Sequence, residues 1–199
     1  SKDTGNHAAE TALLLLETTI IPTALHNLET WTYWRKKDIE DLERIQSEAI
    51  KKLFKLPFST PYWGIIIELG IWSMEERLNY KRLILWHNLI NSREDRLSTA
   101  IIKQQMTYDI EESWYGMIKK VADEHNIVLK DACGKEKREW KKEIKKKIIE
   151  KLEKVSANKI TDMAKLKEQK NQKFERQRWI ESKNLDEVGD MMRTKLFMW

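Results

Sequence analysis

The sequence predicts an all-α protein, and three features of its composition carry that prediction. Glycine and proline number only six and three among 199 residues, too few for the many turns of a β-sandwich or a β-barrel. Residues that favour helices dominate the chain, and the glycine-rich first turn of a dinucleotide-binding α/β fold is absent. We expect a compact helical bundle over residues 1–106, followed by a basic, extended helical region over residues 107–199.

The first two expected helices cover residues 7–27 and 38–54. Apolar residues surround most of the first helix, which predicts burial on more than one side. Pro22 predicts a kink or break there because its nitrogen cannot donate a hydrogen bond. The second helix has apolar residues at helical spacing. After it, Thr60 and Pro61 predict a new helix, with Thr60 as the cap and Pro61 in the first turn.

Short turns separate the next helices. Gly70 predicts the end of one helix, and Ser73 with Glu76 forms a capping box that opens a long one. Shorter helices are expected at residues 96–105 and 111–126. Four tryptophans on apolar stripes are expected in the core rather than stacked on bases, namely Trp63, Trp86, Trp114 and Trp140.

The last third of the chain combines lysine-rich helix with a narrow apolar stripe. A long helix is expected from residue 135 to about residue 157, and residues 159–183 continue in helical register with few apolar side chains. The chain ends on the apolar run Leu196-Phe197-Met198-Trp199. We expect that the chain is cut from a longer polypeptide at both ends, and that this run is exposed and favours a protein interface.

The positive charge is concentrated in this same part. Residues 135–183 hold eighteen Lys and Arg against nine Asp and Glu, whereas the remaining residues hold nineteen against twenty-three. Such asymmetry indicates a polyanionic partner, of which nucleic acid is the commonest. The alternative is a solvated helix surface with excess lysine.

The motifs of several enzyme and metal-site classes are absent from the sequence. It contains neither a P-loop nor a G-x-S-x-G nucleophile elbow. Cys133 is the one cysteine, so neither a disulfide framework nor a cysteine-rich zinc site is expected, and the four histidines are scattered. No apolar run approaches the roughly 18 residues of a membrane span. We expect an intracellular, non-catalytic chain with no cofactor and no metal.

The order of landmarks in the first 105 residues resembles the region after the catalytic palm of non-LTR (LINE-type) retrotransposon reverse transcriptases. The landmarks are a leucine-rich helix with a proline and a following E-x-W step, then further short runs in the family's order. They read Leu13-Leu14-Leu15-Leu16, Ile21-Pro22-Thr23-Ala24-Leu25, Glu29-Thr30-Trp31, Leu42-Glu43-Arg44-Ile45-Gln46, Leu53-Phe54-Lys55-Leu56-Pro57, Ser59-Thr60-Pro61, Glu68-Leu69-Gly70-Ile71 and Arg77-Leu78. The basic part is similar to the linker that follows in that family, at Trp140-Lys141-Lys142-Glu143-Ile144-Lys145.

The resemblance implies the thumb and linker of such a polymerase without its catalytic centre. The family's aromatic-Ala-Asp-Asp motif, its zinc knuckle and its endonuclease motif are all absent from this sequence, and His26-Asn27 replaces the usual Tyr-Gly. The implied partners are RNA or an RNA–DNA hybrid, DNA, and the remaining domains of the same polypeptide, in the nucleus.

A thumb grips phosphates and sugars, which requires basic side chains rather than a fixed motif. The candidate contacts fall on three helices, with Trp34 as a candidate for stacking on an unpaired base. They are Lys37, Arg44, Lys51 and Lys55; Arg77, Lys81 and Arg82; and Arg138, Lys141, Lys142, Lys145, Lys146 and Lys147. The competing interpretation is that these are paired surface charges. The competing function is a helical protein-interaction or dimerisation module without its own affinity for nucleic acid.

Overall fold

The computed structural model of the chain describes residues 8–162 and 185–197. Every regular element in those two ranges is a helix and none is a strand, so the predicted all-α class is confirmed. The α-helices are α1 (Ala8–Leu15), α2 (Ile21–Ala24), α3 (Lys36–Leu53), α4 (Tyr62–Leu69), α5 (Met74–Ile90), α6 (Leu97–Tyr108), α7 (Trp114–Glu124), α8 (Lys137–Asp162) and α9 (Leu185–Phe197). None of these helices has the length and apolar character that crossing a membrane requires.

The chain divides into two compact units that are discontinuous in sequence. Unit 1 comprises Ser1–Ala24, Lys37–Met74 and Leu152–Trp199, and unit 2 comprises Leu25–Lys36 and Glu75–Lys151. This division differs from the expected one into residues 1–106 and 107–199. The physical reason lies in α5 and α8: almost all of α5 belongs to the same unit as α7 and the first part of α8, and the later part of α8 belongs to unit 1 with α9.

Unit 1 is closed by α9, which contacts both α1 and α4. Val188, Met192 and Leu196 recur every fourth residue on α9 and are buried. Gly189 permits this packing, because a Cβ there would lie 2.2 Å from the carbonyl oxygen of Phe54. Leu196 is therefore in the core, and the expectation that it belongs to an exposed apolar run is wrong.

Unit 2 is built around tryptophans. Trp86, Trp114 and Trp140 are buried, as predicted. Each indole N–H donates to a backbone carbonyl: Trp86 to Leu129 at 3.0 Å, Trp114 to Glu29 at 2.9 Å and Trp140 to Leu83 at 3.0 Å. These bonds satisfy the one polar atom that each large ring takes into the core. In unit 1, by contrast, Trp63 is half-buried.

The helix ends show where local signals were sufficient. Gly70 ends α4 in the left-handed conformation, with φ of 59°, as expected for a glycine at that position. Pro61 occupies the N-cap position of α4, without a side-chain hydrogen bond, and not the first turn as expected. The hydroxyl of Thr60, the expected cap, donates to the carbonyl oxygen of Pro57 instead. The break expected at Pro22 is a wide π-helical turn, Leu16–Ile20, between α1 and α2. Residues 163–184, 198 and 199 lie outside the described residues.

Candidate nucleic-acid interface

The first half of α8 is fixed in unit 2 by its apolar stripe. Trp140, Ile144 and Ile148 recur every fourth residue and are fully buried. Residues with this spacing lie one above the other on a single face of an α-helix. Most of the exposed side chains of this segment lie on its other face.

That other face is basic. Arg138, Lys141, Lys142 and Lys145 are all exposed, and at 100° per residue they fall within an arc of about 100° opposite Trp140. We call these four side chains the α8 outer face. None of them has an ion-pair or hydrogen-bond partner among the described residues. They line one shallow groove, with Glu136 and Glu139 also on its border.

Keeping four like charges on one face works against the helix. Arg138 with Lys142 and Lys141 with Lys145 are pairs of like charge at i,i+4 spacing. Each such pair destabilises a helix by about 0.2–0.5 kcal/mol. These like-charge pairs therefore do not stabilise the helix, and an anionic ligand would remove their repulsion.

Three lysines beside the α8 outer face are partly neutralised. Lys146 and Lys147 share the carboxylate of Glu150, at 4.0 and 3.9 Å. Lys135 lies 2.5 Å from Glu143, and that hydrogen bond raises the pKa of Lys135 above its usual value. These three lysines are therefore less available to an anionic ligand than the α8 outer face.

The four candidates near α3 are mostly occupied. Arg44 pairs with Asp41 at 3.1 Å, and Lys55 pairs with Asp186 of α9 at 2.7 Å.

Lys51 donates to the carbonyl oxygen of Phe58 at 2.9 Å, and partial burial lowers the pKa of Lys51 despite the opposite effect of Glu48. Only Lys37 of these four is exposed and has no partner among the described residues. The α3 candidates therefore do not form a common surface of unpaired charge.

The three candidates on α5 are drawn into unit 2. Arg77 is half-buried and engaged. Lys81 pairs with Glu29 at 3.0 Å and donates to the carbonyl oxygen of Leu25 at 2.6 Å. Arg82 is buried rather than available on a basic side of the helix, because apolar residues fall on several sides of α5.

Trp34 does not present a bare ring to solvent. It is half-buried, and its ring lies 5.5 Å from the guanidinium carbon of Arg82 and 5.7 Å from the ring of Trp31. A cation over an aromatic face is an attractive arrangement. Arg82 therefore covers one face of the ring that is expected to stack on a base.

A buried ionic network in unit 2 was not visible in the sequence. The carboxylate of Glu76 lies 2.5 Å from Nε2 of His125 and 3.0 Å from Nζ of Lys151, which also pairs with Glu124 at 2.9 Å. Burial raises the pKa of Glu76, but the hydrogen bonds and charges of His125 and Lys151 outweigh burial and hold that pKa below its usual value.

This network anchors the inner side of α8 through Lys151. A glutamate in the first turn of a helix is already explained by the helix dipole, and 49 residues separate Glu76 from His125. The contact between Glu76, His125 and Lys151 therefore could not be predicted from the sequence.

The described residues contain no group of three or more metal-ligating side chains. Neither a family model, nor a curated protein, nor a solved structure matches the chain.

Proposed function

We propose that this chain is a nucleic-acid-binding thumb and linker module of a LINE-type reverse transcriptase, non-catalytic on its own. It grips template RNA or an RNA–DNA hybrid by the backbone phosphates. The observation that supports this proposal is the α8 outer face: four exposed basic side chains on one side of a well-anchored helix, without partners among the described residues.

The geometry suits a contact with the nucleic-acid backbone. From Arg138 to Lys145 the helix rises about 10 Å, at 1.5 Å per residue. Phosphates of one strand of B-DNA are spaced by about 3.4 Å along the duplex axis, so the face can follow roughly four of them. Lysine and arginine at phosphates carry no base information. Binding should therefore be strong at low salt and largely independent of sequence.

The resemblance of residues 1–105 to the segment after the palm of LINE-type enzymes supports the polymerase context. Because the aromatic-Ala-Asp-Asp motif is absent from the sequence, the chain supplies grip and not nucleotide addition. The alternative is a protein-interaction module, which was based on an exposed apolar run at residues 196–199. Leu196 is buried, so this residue no longer supports that alternative.

The proposal is tested by fluorescence anisotropy with a labelled RNA–DNA hybrid, a structured RNA and a duplex DNA, from about 50 to 200 mM salt. The α8 variant, R138Q/K141Q/K142Q/K145Q, removes the outer-face charge and keeps residues that favour helices. Each phosphate contact contributes about 0.9 to the salt slope on a duplex. The variant's slope should be smaller by about 3.6, and its loss of affinity over this range smaller by about two orders of magnitude.

Two results would contradict the proposal. One is an α8 variant that keeps the wild-type slope with all three ligands while circular dichroism shows a folded chain. The other is a wild-type chain that binds none of them at low salt. In the second case light scattering would test the protein-interaction alternative.

A further inference from the structure

Unit 2 contains a cavity that the α8 outer face does not use. Its volume is ≈ 660 Å³, within the range of small-ligand sites. Trp34, Arg82, Glu112 and Lys120 are among the residues that line it. They come from α5, from α7, and from the segments that precede α3 and α7.

Arg82 is the unusual residue of this cavity. Its side chain is 5% exposed, and its Nη1 donates to Oδ1 of Asn79 at 3.1 Å. Its Nε and Nη2 are shielded from solvent and have no hydrogen-bond partner among the described residues. These two nitrogens form the side edge of the guanidinium, which binds the paired oxygens of a carboxylate or a phosphate.

Burial without a counter-charge is reflected in the electrostatics. Desolvation lowers the pKa of Arg82 to about 10, although Glu75 and Glu124 act in the opposite direction. No carboxylate lies at ion-pair distance from Arg82 in the described part of the chain. A buried cation left without a partner is costly, and an oxyanion on the Nε–Nη2 edge would offset that cost.

Aromatic groups surround the same point. The Nε1 of Trp34 is a second buried donor without a partner in the described residues. Tyr33 lines the cavity and is exposed, and exposed Trp31 lies 5.7 Å from Trp34. Indole and phenol rings are the surfaces on which unpaired bases stack. The site therefore combines an oxyanion fork with flat apolar surface.

Charged side chains at the edge of the cavity limit the negative charge of a ligand that can bind there. Lys120 is paired with Glu111 at 2.8 Å, and Glu112 is exposed beside the cavity. Glu112 has no ion-pair partner in the described ranges, so its charge disfavours a ligand with several negative charges. A phosphodiester carries one negative charge, so it satisfies Arg82 without adding strong repulsion from Glu112.

We propose that this cavity binds one nucleotide unit of single-stranded nucleic acid, with the phosphodiester oxygens on Nε and Nη2 of Arg82 and the base against the rings of Trp31, Tyr33 and Trp34. Because the donors are shielded, the Trp34 side chain moves when the ligand enters. The site is separate from the α8 outer face and is tested apart from it.

The test uses ¹⁵N NMR of the indole N–H groups in the full chain, titrated with the trinucleotide (dT)₃. The Trp34→Phe spectrum identifies the Trp34 signal by its loss. We expect the chemical shift of that signal to change as (dT)₃ is added and to reach a plateau when the site is saturated. Arg82→Lys, which keeps the charge but loses the fork, should weaken binding by about 10-fold or more. Glu112→Gln, an exposed substitution that should leave the fold unchanged, should strengthen it.

Inorganic phosphate and thymidine are the ligand controls, and the α8 variant is the protein control. The α8 variant should bind (dT)₃ like the wild type even where it has lost duplex binding, so this site and the proposed function can fail separately. An unshifted Trp34 signal would overturn the proposal, as would equal affinity in Arg82→Lys. Inorganic phosphate binding as tightly as (dT)₃ would also overturn it, because the base would then contribute nothing.

Discussion

Helix α3 with its C-terminal turn provides four basic candidates for phosphate contact, and the α8 outer face also provides four, but the surroundings of the two sets differ. Near α3, Arg44 and Lys55 are held in ion pairs and Lys51 in a bond to a backbone carbonyl. On α8, the four side chains of the outer face have no partner among the described residues. Equal numbers of positive charges therefore do not mean equal availability, which depends on what the neighbouring elements present.

One lysine of α8, Lys151, belongs to the buried ionic network, and the largest change that we predict is a loss of stability when this network is broken. Lys151 is held by buried Glu76, which also contacts His125. Glu76→Gln leaves two basic groups without their buried carboxylate, and removing one partner of a buried pair costs about 3–5 kcal/mol. Urea denaturation at neutral pH should show a loss of this size. Val128, exposed, provides the control: Val128→Thr should change stability by less than about 0.5 kcal/mol.

The stability lost in Glu76→Gln should depend on pH, and the pKa of Glu76 gives the direction. The pKa of Glu76 is lower in the folded chain than its usual value of 4.5, so its stabilisation is present above that value. It is lost as the pH falls through the folded pKa. The stability difference between wild type and Glu76→Gln should therefore shrink below about pH 4.5. A difference that stays constant down to pH 3 would contradict the ionised network.

The α3 variant, K37Q/R44Q/K51Q/K55Q, sharpens the comparison because it removes the same formal charge as the α8 variant. Since Lys37 alone of these four has no partner among the described residues, we expect a salt slope lower by no more than about one. Affinity for the RNA–DNA hybrid at low salt should stay within about 10-fold of wild type, as measured by anisotropy. If the α3 and α8 variants lost affinity equally, net charge rather than the outer face would govern binding.

The smallest predicted effect is a change in stability on replacing a basic residue by glutamate, and its sign differs between α8 and α3. Lys141→Glu replaces repulsion with Lys145 by an i,i+4 attraction, which should stabilise the chain by about 0.2–0.5 kcal/mol while weakening nucleic-acid binding. Arg44→Glu instead removes the pair with Asp41 and should destabilise by about as much. Thermal unfolding of both variants checks the signs. Destabilisation by Lys141→Glu would show that α8 is not under charge repulsion.

The sequence was sufficient where a property depends on spacing along one helix. The stripe of Trp140, Ile144 and Ile148 follows from helical periodicity, and so does the basic face on the other side of it. The all-α class follows from composition, and the end of α4 follows from Gly70. These are local properties, and the structure has them as predicted.

Properties that depend on distant segments could not be predicted in the same way. Lys55 finds Asp186 131 positions later, and nothing near Lys55 indicates that partner. Apolar residues on several sides of α5 leave its buried face undefined, so the burial of Arg82 was not visible. The arrangement of Arg82 beneath Trp34, with one guanidinium edge unpartnered in the described residues, could not be predicted either. It forms because the segment before α3 packs on α5.

Lysine footprinting by acylation and mass spectrometry tests the central claim most directly, because it reports each side chain in the unmodified chain. The chain is labelled at low salt with and without the RNA–DNA hybrid. Lys141, Lys142 and Lys145 should lose most of their reactivity when the hybrid is bound, while Lys37 and Lys52, exposed on α3, should react as in the unbound chain. Protection of the two α3 lysines with unchanged labelling of the three on α8 would contradict the account.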